Sequence, residues 1–138
     1  MNENIKPILE GIFQTGPFPS LLGGYCPACR RKYFPAPAVC PRCLMTVRSV
    51  PLSREGVIYS FTIIRTKPPF GLPQPYAVGY VDLVDDNLRV IGLLDHEKLD
   101  RLSVGREVTL SVAPIGLDRS GQPCLRYFFT TKERGGGI

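Results

Sequence analysis

Through the second half of the chain, large apolar residues recur with a period of two. Val57, Tyr59, Phe61 and Ile63 share one parity, with Ser60 and Thr62 on the other. That is how a half-buried strand reads. Tyr76 to Val84 forms a second such run, and Asp85, Asp86 and Asn87 make a turn into a third, Leu88 to Leu94. Val108, Leu110 and Val112 alternate with Thr109 and Ser111 in a fourth. Asp118 to Gly121 then turns the chain into a fifth, carried by Leu125, Tyr127 and Phe129. Between the third and fourth, Asp95 is placed to cap a short helix holding Leu99 and Leu102, which Gly105 closes. Five strands with one short helix in that interval follow the order of an OB-fold barrel, with another five-stranded barrel topology as the alternative.

The first residues show a different period. Ile5, Ile8, Leu9, Ile12 and Phe13 have the spacing of a short amphipathic helix, ended by Gly16-Pro17-Phe18-Pro19. Such a helix packs on its own domain or docks on a partner. The pattern therefore predicts a mainly β chain in four parts. These are a helical segment over 1–21, a cysteine-bearing segment over 22–50, a barrel over 51–132 and a flexible tail over 133–138.

Composition agrees with short elements and many turns, because 138 residues include 14 Gly and 14 Pro. With 43% hydrophobic residues the chain can bury a core. No apolar run approaches the ~20 residues of a membrane span, and no basic stretch followed by an apolar one opens the sequence. A cytoplasmic protein with no membrane association is expected.

Four of the five cysteines fall in the pattern Cys26-x2-Cys29-x10-Cys40-x2-Cys43. Each Cys-x-x-Cys turn lets two sulfurs reach one ion, and two such turns complete a tetrahedron. Pro27 and Pro41 stiffen the two knuckles. The spacing points to one structural Zn2+ in a rubredoxin-like ribbon. Iron in an electron carrier and two redox dithiols are the competing readings. Iron knuckles of that type commonly place Gly after the second cysteine, where this chain has Arg30 and Leu44. Cys124 stands alone in a predicted strand and reads as a small buried hydrophobe.

Charge sharpens the division. Up to Arg54 there are seven basic and two acidic residues, and from Glu55 onward ten of each. The excess lies on the cysteine segment, so Arg30, Arg31, Lys32 and Arg42 are candidates for meeting an anionic group such as a phosphate. On the second strand Tyr76, Val78 and Tyr80 share a parity with Asp82, which marks that face as outward. The proline-rich loop before it presents Phe70 and Leu72. These five residues are candidates for a partner interface, against the plainer reading that they pack within the chain. His96, the single histidine, sits beside a helix cap, and no nucleophile–base–orienter set can be assembled. The chain is not expected to be an enzyme on its own. An OB-fold can also bind single-stranded nucleic acid, but the barrel segment carries no excess positive charge, so nucleic acid is not the expected partner.

The order of parts resembles one family. A Cys-Pro-x-Cys ribbon is followed by a barrel opening Gly56-Val57-Ile58-Tyr59-Ser60-Phe61-Thr62, with Phe34-Pro35, Pro75-Tyr76-Ala77-Val78 and Leu102-x-x-Gly105-x-x-Val108. Together they are similar to the zinc-ribbon and OB-fold proteins associated with acyl-CoA enzymes. The resemblance covers roughly residues 5 to 130. It implies a small non-catalytic subunit pairing with a thiolase-like catalytic subunit, or with a hydratase or synthase, in a hetero-oligomer. It further implies that the partner carries the catalytic cysteine, while this chain helps form or stabilise the site for the CoA thioester.

Overall fold

The computed structural model describes residues 6–8 and 11–132. Ten strands are present among them: β1 Lys6–Pro7, β2 Phe13–Gln14, β3 Ser20–Cys26, β4 Arg31–Tyr33, β5 Arg48–Pro51, β6 Glu55–Ile64, β7 Tyr76–Leu83, β8 Leu88–Leu94, β9 Glu107–Leu117 and β10 Pro123–Thr131. Strands β6 to β10 form the barrel. Antiparallel ladders join β6 to β7, β7 to β8, β9 to β10 and β6 to β9. A short parallel contact of Phe128 and Phe129 with Leu93 and Leu94 closes the ring between β10 and β8. This is the five-stranded OB-fold order, with a 3-10 helix His96–Arg101 between the third and fourth barrel strands. Asp95 caps that helix by accepting from the Glu97 amide. Gly105 follows with φ +89, and its amide bonds the Ile58 carbonyl at 2.8 Å.

The core fills the barrel. Ile58, Val81, Leu83, Val108, Leu110 and Phe129 are fully buried there, each contributing roughly 1.5–3 kcal/mol by removing apolar surface from water. In β7 the alternation is clean, with Ala77, Gly79, Val81 and Leu83 inside. In β6 it is not. Ile58 pairs with Val81 and Ser60 with Tyr80, so Tyr59 is an extra residue at a bulge. The inward parity switches there, from Gly56 and Ile58 to Phe61 and Ile63. The expectation of one continuous face from Val57 to Ile63 therefore holds only after the bulge. Tyr59 itself is half exposed and lies under the Arg89 guanidinium, 3.4 Å from the ring centre.

The expected N-terminal helix is absent from the described residues of 1–21. Lys6 and Pro7 instead pair in parallel with Cys124 and Leu125 on β10. Phe13 and Gln14 pair with Leu21 and Ser20. Sheet edges offered by β10 and β3 outcompete a short isolated helix, which is marginal in water at this length. Ile5 and Leu9 of the expected stripe, and the tail 133–138, lie outside the described residues. No described helix is long and apolar enough to cross a membrane.

Strand β3 organises the second unit, pairing with β2, β4 and β5. Its backbone runs close to its neighbours, and a Cβ on Gly23 would lie 2.6 Å from the Tyr33 carbonyl oxygen. The ribbon joins the barrel through rings. Tyr127 makes edge contacts with Phe13, Phe34 and Phe129, at centroid distances of 6.0, 6.1 and 6.4 Å. Gly92 leaves room for this, since a Cβ there would meet the Tyr127 ring at 2.9 Å. The Tyr127 hydroxyl then donates to the Ile91 carbonyl at 2.9 Å. A charged contact adds to the junction, with Lys32 of β4 paired to Asp86 and the Ser53 amide donating to the same carboxylate.

Candidate metal centre and barrel face

The two knuckles fold as the spacing requires. After each second cysteine the chain turns back with a left-handed residue, Arg30 at φ +56 and Leu44 at φ +65. Their amides bond Cys26 and Cys40 carbonyls at 2.7 and 2.8 Å. The glycine-free knuckles thus keep a conformation glycine favours, at a cost of roughly 1–2 kcal/mol per residue. Both side chains are exposed.

All four sulfurs lie within 4.8 Å of one another, and no other group of three or more candidate ligands is found among the described residues. Cys26 and Cys43 sulfurs are 3.5 Å apart, those of Cys29 and Cys40 3.9 Å. A tetrahedral ion with metal–sulfur bonds near ~2.3 Å needs edges of about 3.8 Å. The donor set therefore fits a four-coordinate ion in a closed site. Cys26 and Cys40 are buried, Cys29 and Cys43 half-buried.

The sulfurs are not equivalent. The Cys26 sulfur accepts from the Cys29 amide at 3.4 Å. The Cys40 sulfur has the Arg42 amide at 3.4 Å and the Tyr33 hydroxyl at 3.3 Å. The Tyr33 hydrogen bond, with backbone amides, brings the Cys40 thiol down to about 6. Contact with the Cys43 thiol and burial push Cys29 up to about 12. Neighbouring donors thus favour the thiolate form at Cys40, while Cys29 holds its proton until an ion displaces it. Binding is consequently coupled to proton release and weakens as pH falls.

The basic candidates separate. Arg30, Arg31 and Arg42 are exposed around the knuckles. Lys32 is not equivalent to them, because it is paired with Asp86, whose side chain is 4% exposed. Alternation explains the split, since Lys32 faces the barrel while Arg31 and Tyr33 take the other side of β4. Leu44 and Met45 are also exposed beside these arginines.

The outward face of the barrel lies where the alternation placed it. Tyr80 is exposed, and Tyr76, Val78 and Asp82 are partly so. The adjacent strand continues this face. Ile91 stands opposite Tyr80, Leu93 opposite Val78 and Arg89 opposite Asp82. Arg89 grips the Asp82 carboxylate at 2.6 and 3.2 Å, which raises the guanidinium pKa. Ile91 and Leu93 were not singled out from sequence, although their shared parity with Arg89 was the available signal. Val78, Ile91, Leu93, Ile8, Arg126 and Tyr127 line a shallow groove of about 260 Å3 on this face. Phe70 sits exposed at the tip of the proline-rich loop, with Leu72 half-buried behind it. The Phe70 carbonyl accepts from Leu117, seating the loop on the β9–β10 hairpin. Cys124 is buried as expected, and its sulfur lies 3.4 Å from an Arg126 nitrogen. His96 opens the 3-10 helix, 3.9 Å from Glu97.

Comparison with known proteins completes the picture. Residues 49–113 match the family described as ChsH2, C-terminal OB-fold domain. The benzoylsuccinyl-CoA thiolase subunit BbsA of Geobacter metallireducens is 37% identical over 123 residues, covering 88% of this chain and 81% of that protein. BbsA of Thauera aromatica is 35% identical over 115 residues, 83% and 78% of the two chains. The solved structure of an Ltp2-ChsH2(DUF35) aldolase shares the fold, with a TM-score of 0.66 at 23% identity over 81% of this chain and 84% of that one. So does a DUF35-family protein of unknown function from Sulfolobus solfataricus, at 0.52 and 17% over 82% and 76%. The chain belongs to the family of the thiolase subunit BbsA, on an OB-fold of the ChsH2 C-terminal type.

Proposed function

We propose that this chain is a non-catalytic, zinc-binding subunit of a thiolase-type acyl-CoA complex, docking on its catalytic partner through the outward face of β7 and β8. The observation that carries the reading is the pairing of close kinship to a thiolase subunit with an outward apolar face, on which Tyr80 and Ile91 are exposed and Val78 and Leu93 partly so, on a neutral barrel. A tyrosine such as Tyr80 is a common anchor of protein association, and the apolar residues around it exclude water from the contact. Phe70 and Leu72 extend the contact from the neighbouring loop.

Zn2+ is the ion for the four thiolates, and it holds the ribbon's shape without taking part in the reaction. Arg30, Arg31 and Arg42 meet phosphates of the CoA thioester bound by the partner, as exposed guanidinium forks do. Lys32 keeps its place at Asp86.

The test is reconstitution with the thiolase-like protein from the same source, followed by size-exclusion chromatography with light scattering. A stable hetero-oligomer is expected, and Ile91→Glu should abolish it while leaving the subunit folded. Failure to associate, or association indifferent to Ile91→Glu, would overturn the docking assignment. Nucleic acid co-eluting and washing off with salt would move the barrel to the binding of single strands.

A further inference from the structure

Strand β4 and the residue that follows it face two ways. Lys32 and Phe34 point to the barrel, where they meet Asp86 and Tyr127. Tyr33, between them, turns its hydroxyl to the Cys40 sulfur at 3.3 Å. Cys40 is a fully buried ligand and already takes the Arg42 amide. A phenol hydroxyl has one proton to donate, and a metal-bound thiolate has lone pairs and no proton. With an ion in place, the direction of this bond is therefore settled, from Tyr33 to Cys40.

We infer that Tyr33 is a positioning residue of the metal centre, whose hydroxyl donates to the Cys40 thiolate and ties the ion to the strand that seats the ribbon on the barrel. The inference rests on the four-thiolate reading of the site and goes beyond it. Two consequences follow. The hydrogen bond withdraws charge from one of four sulfurs, which makes the ligand field unequal. It also couples loss of the ion to release of β4, so that the Lys32–Asp86 and Phe34–Tyr127 contacts loosen when metal leaves. Partners of this outer kind fix ligand orientation and commonly matter about 10–100-fold in metal affinity.

The experiment uses the full chain loaded with Co2+, whose sulfur-to-metal charge-transfer bands report the charge on the thiolates. In Tyr33→Phe those bands should move to lower energy, and competition with a chelator should show about a tenfold loss of affinity. Unchanged bands and affinity would overturn the role of Tyr33 while leaving the metal site standing. Failure of the wild-type chain to take up Co2+ or Zn2+ would overturn both. Should the variant not fold, wild-type protein loaded with 113Cd gives the answer by itself. A through-bond correlation from cadmium to the Tyr33 hydroxyl proton is expected, and correlations to backbone amides alone would overturn the inference.

Discussion

Between residues 22 and 50, the side chains fully removed from solvent are those of Cys26 and Cys40. The barrel, by contrast, buries Ile58, Val81, Leu83, Val108, Leu110 and Phe129 within one closed ring of strands. The two regions differ in what maintains their shape. Strands β4 and β5 are three and four residues long, and neither holds a fully buried residue. A segment of that size buries too little apolar surface to offset its chain entropy, so on the proposed reading its shape depends on ligation. The barrel depends on the alternation of its strands. Between them lies a seam of aromatic rings and one buried carboxylate.

Removing a buried ligand is the sharpest way to break this contrast. Cys40→Ser should abolish stoichiometric metal uptake and unfold the ribbon while the barrel keeps its signals. Metal analysis and amide NMR spectra would check this, and loss of the barrel signals as well would mean that the two regions fold as one unit. Attack on the other side should give the converse pattern. Phe129→Ala leaves a cavity at the barrel centre and should cost about 3–5 kcal/mol in urea unfolding. The metal should still be held in whatever fraction stays folded.

The seam comes next in size. Lys32→Ala strips the nearly buried Asp86 carboxylate of its counter-charge and should destabilise the protein by about 1–3 kcal/mol. Pairing it with Asp86→Asn should recover part of that loss. If Lys32→Ala left stability untouched and raised only the partner's KM for acyl-CoA, Lys32 would belong with the arginines after all. The smallest effect is a gain. Leu44→Gly relieves a left-handed side-chain residue and should stabilise the loaded protein by about 0.5–1 kcal/mol, read from its melting temperature. A lower melting temperature would show that the exposed Leu44 side chain contributes packing that outweighs the backbone strain.

The parts readable in advance share a local cause. Ligand spacing in the four cysteines needs only two turns and an ion, and strands of period two need only one buried face. The parts that were not readable depend on distant neighbours. The segment around Phe13 has helical spacing, yet β3 offers it an edge from residues further along the chain. The Tyr59 bulge shows only in the register against β7, where one extra residue reverses which side of β6 is inward. Lys32 looks like its three basic neighbours until Asp86, 54 residues away, arrives beside it.

Taken alone, the amino-acid order determined the four-thiolate pattern, the five-strand barrel and the outward placing of Tyr76, Val78 and Tyr80, because each follows from periodicity and short-range geometry. Only tertiary structure decided which basic residues stay exposed, which strand continues the apolar face through Ile91 and Leu93, and that Tyr33 reaches the Cys40 sulfur. Those outcomes depend on contacts between segments far apart in the chain, and sequence periodicity carries no information about which segments will meet.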